Sequence, residues 1–555
     1  MDETFDFVVV GSGGGSMCAG LVMRSAGKSV LILEKTDLVG GSTAKSGGTM
    51  WIPNNRFMAE AGVPDSYEQA TTYLDAVVGD HDDTPGATRE RRQTFLREGP
   101  AMVDFLVGQG VKLRRHNYWP DYYDDQPGGS ERGRAIAAEL FDVNELGPWK
   151  KKLRGGSLGL PASMEEMFAL PTYKQSWRGK YMVAKVGLRG LLAKLTGKRL
   201  LTAGGALQGR MLQAALKAGV DIRTDSGVKE IIIEDGVAVG VVTTRDGRDW
   251  RVGARLGVLM NAGGFAHNQA MRDKYCPNTS TEWSLAAPGD TGDMHRELMR
   301  LGVAMAQMEE RVGWQITLPP GEPAPAGVQM QLGKPHAFLV DQSGVRYMNE
   351  GGSYMEFCRN ILARHETVPA IPSWMIMDSQ FMREYMFAST MPGSKKPQRW
   401  FDEGYMKTGD TIEALAQACG LDPASLKATT ERFNGFARTG QDEDFHRGRR
   451  AYDRWLGDRY FKGPSPALGA VEEGPFYAVP VLPGDVGTYG GAVTDTYARV
   501  LKEDGSVIPR LYAAGVVAAS VMGRKYPGAG ASIGPTFTWG YVAAKHAANL
   551  GNQPA

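Results

Sequence analysis

Four consecutive apolar residues, Phe7-Val8-Val9-Val10, run into Gly11-Ser12-Gly13-Gly14-Gly15-Ser16, and the pattern then changes period. An unbroken apolar run closed by glycine predicts a strand buried on both faces. Met17 to Ala26 predicts a helix, and Ser29-Val30-Leu31-Ile32-Leu33 a second buried strand ending at Glu34. Strand, turn, helix and strand make a βαβ unit with parallel strands and a right-handed crossover. Farther on, Gly209 to Ala218 predicts a helix. Val228 to Glu234 and Val237 to Thr244 predict paired strands turned at Asp235-Gly236, and Gly257 to Asn261 a buried strand ending at Gly263-Gly264. Glycine-rich signals return from Gly487 onward: Gly490-Gly491, Gly515, Gly528 and Gly530. The stretch between, about 285 to 482, has more proline and scattered aromatics, and predicts a second domain inserted into the first.

Composition narrows the function classes. A 555-residue chain exceeds one ordinary core, so two or more domains are expected. Lys plus Arg total 63 against 62 Asp plus Glu, a balance that gives no footprint for nucleic acid. The 72 glycines suit a backbone that closely approaches a large cofactor. Cys18, Cys276, Cys358 and Cys419 form no CxxC pair, so neither a disulfide framework nor a zinc site is expected, and a reducing, cytoplasmic setting fits. Met1-Asp2-Glu3 leads straight into a strand without a basic segment, so no signal peptide is expected. No uncharged apolar run reaches the ~18 to 20 residues of a membrane span.

The GxGxxG fingerprint needs one glycine for the turn, one for the pyrophosphate and a small third residue for helix packing. Gly11, Gly13 and Ser16 occupy those positions, serine being a departure at the third. The helix N-terminus behind them offers free N–H groups and a favourable dipole. Glu34 lies 23 residues after Gly11, where an acid binds ribose hydroxyls. The second glycine loop, Gly40-Gly41-Ser42-Thr43-Ala44-Lys45-Ser46-Gly47-Gly48, suits a cofactor that runs on past the first turn, which favours FAD over NAD. The expected FAD contacts are Gly11, Ser12, Gly13, Gly14, Gly15 and Ser16, then Glu34 and Lys35. Gly40, Gly41, Ser42, Thr43, Ser46, Gly47 and Gly48 follow, then Val228. The last are Ala262, Gly263 and Gly264, with Gly515, Ser532 and Ile533. The FAD is expected to be held non-covalently. No metal is assigned, because the eight histidines lack ligand spacing and Asp290-Thr291-Gly292-Asp293 lacks the rest of an EF-hand.

Four further segments carry a resemblance: Pro120-Asp121-Tyr122-Tyr123; Arg346-Tyr347-Met348-Asn349-Glu350 with Tyr354; Gly487-Thr488-Tyr489-Gly490-Gly491; and Tyr526-Pro527-Gly528-Ala529-Gly530. Together with the nucleotide fingerprint they resemble the 3-ketosteroid Δ1-dehydrogenases of the fumarate reductase and succinate dehydrogenase flavoprotein superfamily. The resemblance covers nearly the whole chain except about 165 to 205, which looks like the insertion of the longer members. It implies an α/β (α+β) fold, a Rossmann-like FAD-binding domain with an inserted catalytic domain: residues 1–284 and 483–555 around 285–482. It implies that Tyr526 and the Gly530 N–H hold the C3 carbonyl oxygen of a 3-ketosteroid. It implies that Tyr354 removes the C2 proton and that Tyr122 assists; Tyr118 and Tyr123 compete with Tyr122 for that last role.

The implied chemistry makes sense of those residue types. A C2 proton is acidic only if the adjacent carbonyl can become an enolate, which two donors on its oxygen stabilise. Hydride must go to a cofactor, since no side chain accepts it. A tyrosine base starts from a pKa of about 10 and needs a neighbouring donor. The electron acceptor that reoxidises the flavin is specified by no motif. Two other readings stand beside this one: a Δ4-(5α)-dehydrogenase of steroids and a fumarate reductase-like enzyme of dicarboxylates. A non-enzymatic carrier on the same fold is disfavoured by the intact nucleotide glycines.

Residues 167 to 220 contain no Asp or Glu. Lys174, Arg178, Lys180, Lys185, Arg189, Lys194, Lys198 and Arg199 alternate there with Trp177, Tyr181, Met182, Val183, Val186, Leu188, Leu191, Leu192 and Leu195. A basic amphipathic stretch of this kind predicts docking on a membrane surface, on the inner face of the cell membrane. Gly179, Gly187 and Gly190 predict interruptions in any helix formed there.

Overall fold

The computed structural model describes residues 1–156 and 159–549. The first apolar run forms the strand Glu3–Val10, in which Phe7, Val8 and Val9 are fully buried. It lies inside an eight-stranded sheet, flanked by Val30–Leu33 and Arg248–Met260, both parallel to it. Burial on both faces explains why these runs are continuously apolar rather than alternating. Beyond Arg248–Met260 the sheet takes up the parallel strand Val507–Ala513, so the C-terminal stretch completes the N-terminal domain. The expected hairpin is present: Val228–Glu234 pairs antiparallel with Val237–Arg245 across Asp235 (φ +49°) and Gly236 (φ +78°), left-handed conformations that Asp-Gly accepts readily. Helices Gly14–Ser25, Ala203–Lys217 and Ile533–Ala547 contribute to the main buried core.

A second, six-stranded sheet is antiparallel throughout and contains Arg311–Thr317, Ala337–Val340, Ser373–Met377 and Phe476–Thr488. Its last strand runs on through Thr488 and leads back to the first domain. Apolar residues from the two faces of this sheet enter separate cores. Helix Tyr354–His365 packs on strand Arg311–Thr317 at Gly313, where an added Cβ would stand 2.7 Å from the Cys358 Cβ. That close approach fixes the start of the helix, and with it Tyr354.

The stretch expected to be an insertion contains helix Met164–Ala169 and a continuous helix Trp177–Leu195. The interruptions expected at its glycines do not occur. At Gly179 an added Cβ would lie 2.5 Å from the Thr172 carbonyl carbon, so this glycine permits packing rather than breaking the helix. The inward positions, Gly179, Val186 and Ala193, are small or moderate in size. The large apolar residues point the other way: Trp177 is 83% exposed and Leu195 73%. Among the described residues, no helix is long and apolar enough to cross a membrane.

Candidate functional site

Strand Glu3–Val10 delivers Gly11 at φ +94°, and Gly13 caps helix Gly14–Ser25 without a side-chain bond. An added Cβ at Gly11 would lie 2.3 Å from the Asn261 carbonyl oxygen, so only glycine fits the turn. At Gly13 the nearest atom would be 3.7 Å away, which leaves the space a phosphate needs above the helix N-terminus. Gly14 and Gly15 have a different reason to be glycine. Their added Cβ atoms would meet the Phe537 ring at 1.9 Å and the Thr536 carbonyl oxygen at 2.5 Å. They let the last helix lie against the first. Ser16 is buried and faces Asn261: with its amide oxygen toward Ser16, Asn261 accepts from the Ser16 N–H at 2.8 Å and Oγ at 3.1 Å and donates to the Ala514 carbonyl at 3.2 Å. One amide thus joins the first helix to the two strands beside it.

Glu34 ends the strand Val30–Leu33 and is buried. Its Oε2 accepts from Ser12 Oγ at 2.5 Å, and its Oε1 accepts from the Thr36 N–H and Oγ1, each at 2.9 Å. Ser12 Oγ in turn accepts from the Gly40 N–H at 2.9 Å, tying the first turn to the second loop. In that loop Gly40 has φ +114°, and helix Gly41–Lys45 follows. Thr43 Oγ1 accepts weakly from the Gly14 N–H at 3.4 Å. Ser46 Oγ accepts from the Gly48 N–H at 3.0 Å, while Gly47 is nearly unobstructed. Ser42 Oγ donates to Asp290 at 3.0 Å and accepts from the Ala287 N–H at 2.8 Å. Burial, with Glu34 nearby, pushes the Asp290 carboxyl up to about 7 despite the Ser42 and Gly264 bonds that lower it. Gly263 sits directly against Asp290, and Gly264 against Thr488. Ala262 follows the strand end. Lys35 pairs with Asp293 at 2.7 Å and Thr291 at 2.6 Å, and with Val228 it lines a surface cavity at the adenosine end of the expected site. Asp290 and Asp293 therefore each have partners in this wall of the domain.

These features fit a dinucleotide: an open helix N-terminus above Gly13, a buried acid at the end of the second strand, and backbone kept clear by glycine on both sides. Gly515, whose added Cβ would be 2.6 Å from Asn261 Oδ1, and Ser532 line a narrow cavity leading away from the turn. Ile533 begins the last helix at its far end.

Tyr489 also lines that cavity, and its ring adjoins that of Tyr526. Tyr122, Tyr354 and Tyr526, from three separate parts of the chain, are all buried and face one another. Ring centroids lie 4.8 Å apart for Tyr354–Tyr526, 5.3 Å for Tyr122–Tyr354 and 6.0 Å for Tyr122–Tyr526. Tyr526 hydroxyl lies 3.1 Å from Ser532 Oγ and accepts from the Ser532 N–H at 3.3 Å. Gly530, at φ +92°, also directs its N–H toward that hydroxyl. Burial pushes all three phenols above their ordinary range. For Tyr526, hydrogen bonds from Ser532 and Tyr354 oppose that rise. For Tyr354 the two neighbouring phenols add to it. The resting cluster is accordingly neutral. Tyr118 is 67% exposed and Tyr123 lies under the Arg450 and Lys525 side chains, so only Tyr122 joins the cluster.

Other residues complete the cluster; Tyr452 belongs to no motif, whereas Asp121 and Tyr489 stand in segments that carry the resemblance without having been given a role. Tyr452 packs on Tyr122 at 4.2 Å and its hydroxyl accepts from Gln329 at 2.7 Å. Tyr489 lies 6.1 Å from Tyr526. Asp121 holds the Tyr122 loop, accepting from Trp51 Nε1 at 2.8 Å and from Arg134 at 2.9 Å. Asn261 stood at a recognised strand end, but its amide has no local motif.

The chain matches the FAD binding domain family over residues 6–533. It is 39% identical over 559 residues to a protein of Mycolicibacterium smegmatis named 3-oxosteroid 1-dehydrogenase, covering 98% of this chain and 97% of that one. It is 33% identical to a protein of Sinomonas cyclohexanicum named 4-oxocyclohexanecarboxylate 2-dehydrogenase, covering 98% and 92%. The crystal structure of 3-ketosteroid delta1-dehydrogenase from Sterolibacterium denitrificans, in complex with 1,4-androstadiene-3,17-dione, superposes with a TM-score of 0.92 at 34% identity, covering 99% of this chain and 100% of that one. With agreement along the whole chain, this protein belongs to the FAD binding domain family and, within it, to the FAD-dependent 3-oxosteroid 1-dehydrogenases.

Proposed function

We propose that the chain introduces the C1–C2 double bond into a 3-ketosteroid, and that Tyr526, Gly530, Tyr354 and Tyr122 carry the reaction. The observation that bears this reading is the buried meeting of three phenols beside the Gly530 N–H. Such a site has hydroxyl and amide donors for a ketone oxygen and an apolar surround for a flat hydrocarbon. Tyr526 and Gly530 bind the oxygen, and each donor is worth roughly 3 to 4 kcal/mol as charge develops there. Tyr354 takes the C2 proton. Tyr122, with Tyr452 behind it, donates to the Tyr354 oxygen and so favours its deprotonated form. Bound FAD supplies the hydride acceptor. Its reoxidation falls to an external electron acceptor. The nucleotide contacts of 1–284 and 483–555 and the catalytic sheet of 285–482 form the working division of the chain.

The test is a panel of ketones, including androst-4-ene-3,17-dione and cholest-4-en-3-one, incubated with an artificial acceptor. The product should weigh two hydrogens less and carry the new double bond at C1–C2 by NMR. A double bond at C4–C5 from a saturated 5α substrate would give the Δ4 assignment instead.

The same reading places the enzyme on a membrane surface through helix Trp177–Leu195. Trp177, Tyr181, Leu188, Leu191 and Leu195 recur at helical spacing and are exposed, forming an apolar stripe at whose start Lys180 of the same helix lies 4.4 Å from the Trp177 ring centre. Not every cation flanks it freely. Lys185 and Arg189 turn inward to Glu166 at 2.9 and 2.6 Å, and Lys174 donates to the Pro392 carbonyl. Arg178, Lys194, Lys198 and Arg199 remain exposed beside the stripe. An amphipathic helix of this form lies in the headgroup plane and gives a sterol-like substrate a path that avoids water.

A further inference from the structure

Two consecutive arginines on helix Arg89–Gly108 are both buried, yet their surroundings differ. Arg92 is paired with Asp75 at 2.9 Å and Asp80 at 3.0 Å. Arg91 has no carboxylate within ion-pair distance among the described residues. It donates to the Gly86 carbonyl and, at 3.2 Å, to the Ala519 carbonyl, and its guanidinium lies 4.6 Å from the Trp539 ring centre. Its Nε has no partner. Burial pulls Arg91 down to about 10, with distant Asp495 opposing, so it remains charged at neutral pH. A buried charge without a counter-charge is costly to the fold and calls for a compensating partner.

Arg91 lines the narrow cavity that also borders Gly515, Ser532, Thr536, Trp539 and Tyr489. Gly515 backs onto Asn261 at the nucleotide turn. At the other end, the Tyr489 hydroxyl donates to the Ala531 carbonyl at 3.0 Å, and its ring adjoins Tyr526. FAD held at the Gly13 turn, with its redox end at the tyrosines as proposed above, would lie along this interval. A flavin gains negative charge on two-electron reduction, and a fixed cation in a water-poor site stabilises that charge strongly. We propose that Arg91 is the counter-charge to the reduced flavin and raises its reduction potential, a positioning role that rests on FAD binding but not on the steroid assignment.

Arg91→Gln, Arg91→Met and Arg91→Lys are compared with the wild-type holoenzyme. The readouts are the two-electron midpoint potential by dye equilibration and the dissociation constant for sulfite, which adds to the flavin and leaves it negatively charged. The neutral variants should bind sulfite at least tenfold more weakly, and each tenfold shift in the redox equilibrium lowers the potential by about 30 mV. Arg91→Lys should stay within threefold of wild type. If the neutral variants lose flavin, the apoproteins are titrated with oxidised and reduced FAD separately; affinity for the reduced form should fall at least tenfold more than for the oxidised form. Unchanged sulfite binding and potential in flavin-loaded neutral variants, or equal loss of affinity for both forms, overturns the proposal.

Discussion

The backbone N–H of Tyr122 donates to the carbonyl of Pro527 at 2.9 Å, so the loop carrying one phenol is pinned to the residue that follows another. Tyr73 reinforces the link: its hydroxyl donates to the same carbonyl at 2.7 Å and accepts from the Tyr123 N–H at 3.3 Å. Spacing between Tyr122 and Tyr526 is therefore set by backbone, not by the rings themselves. Tyr73→Phe should lower kcat about tenfold by loosening that spacing, without touching FAD. Steady-state kinetics alongside the flavin-to-protein ratio checks this; wild-type kcat would show that the hydroxyl does not set the geometry.

Tyr354→Phe and Tyr526→Phe remove groups used mainly as charge develops. Each should lower kcat by about 100- to 1000-fold with little change in KM. The yellow flavin spectrum should remain. Tyr354→Phe should also abolish exchange of the substrate C2 hydrogen with solvent deuterium, read by mass spectrometry. A Tyr354→Phe enzyme that still exchanges would assign the base elsewhere.

The pH profile follows from burial. Tyr354 is held above the ordinary phenol range, chiefly by desolvation. Below that pKa the deprotonated fraction of the base rises about tenfold per pH unit, so kcat/KM should climb steadily from neutral into alkaline pH. A profile flat between pH 6 and 9 would rule out tyrosinate as the rate-setting species.

FAD should leave the protein on acid precipitation and appear in the supernatant, because the turn at Gly11 and Gly13 and the buried Glu34 are those of a non-covalent dinucleotide site. Gly14→Ala tests the support behind the turn. Its new methyl would meet Phe537 and should cost about 1 to 3 kcal/mol through overpacking. The melting temperature should fall and the flavin content with it; a variant matching wild type in both would mean that the helices can separate freely.

Flotation with anionic liposomes at low salt tests the exposed helix. Full-length protein should rise with the vesicles, and a double substitution of Trp177 and Leu188 to Ser should leave it in the dense fraction. Equal flotation of both proteins would assign binding to another surface.

What could be read beforehand was local. Gly11, Gly13 and Glu34 lie within one βαβ unit, and their chemistry depends on neighbours a few residues away. The tyrosines were recognisable only through the surrounding motifs. Choosing Tyr122 over Tyr123 and Tyr118 required knowing which ring points inward, something set by the adjacent Asp121 through its bonds to Arg134 and to the distant Trp51. Gly14 and Gly15 looked like phosphate glycines, yet their partners are Phe537 and Thr536 near the other end of the chain. Gly179 looked like a helix breaker because its tight neighbour, Thr172, belongs to the preceding turn. Asn261 and Tyr452 act through side-chain contacts that no periodicity reveals.

The last helix lying on Gly14 and Gly15, with strand Val507–Ala513 beside Arg248–Met260, has a consequence for biosynthesis. A growing chain on the ribosome can pair its first strands early, but the wall behind the nucleotide turn arrives only when Thr536 and Phe537 emerge. Cofactor loading is thereby deferred until those two residues, more than 500 positions after the turn, have been made. Chains that stop before helix Ile533–Ala547 should accumulate colourless and be cleared by proteolysis, whereas a flavin-loaded molecule certifies that this helix was made and joined to the first.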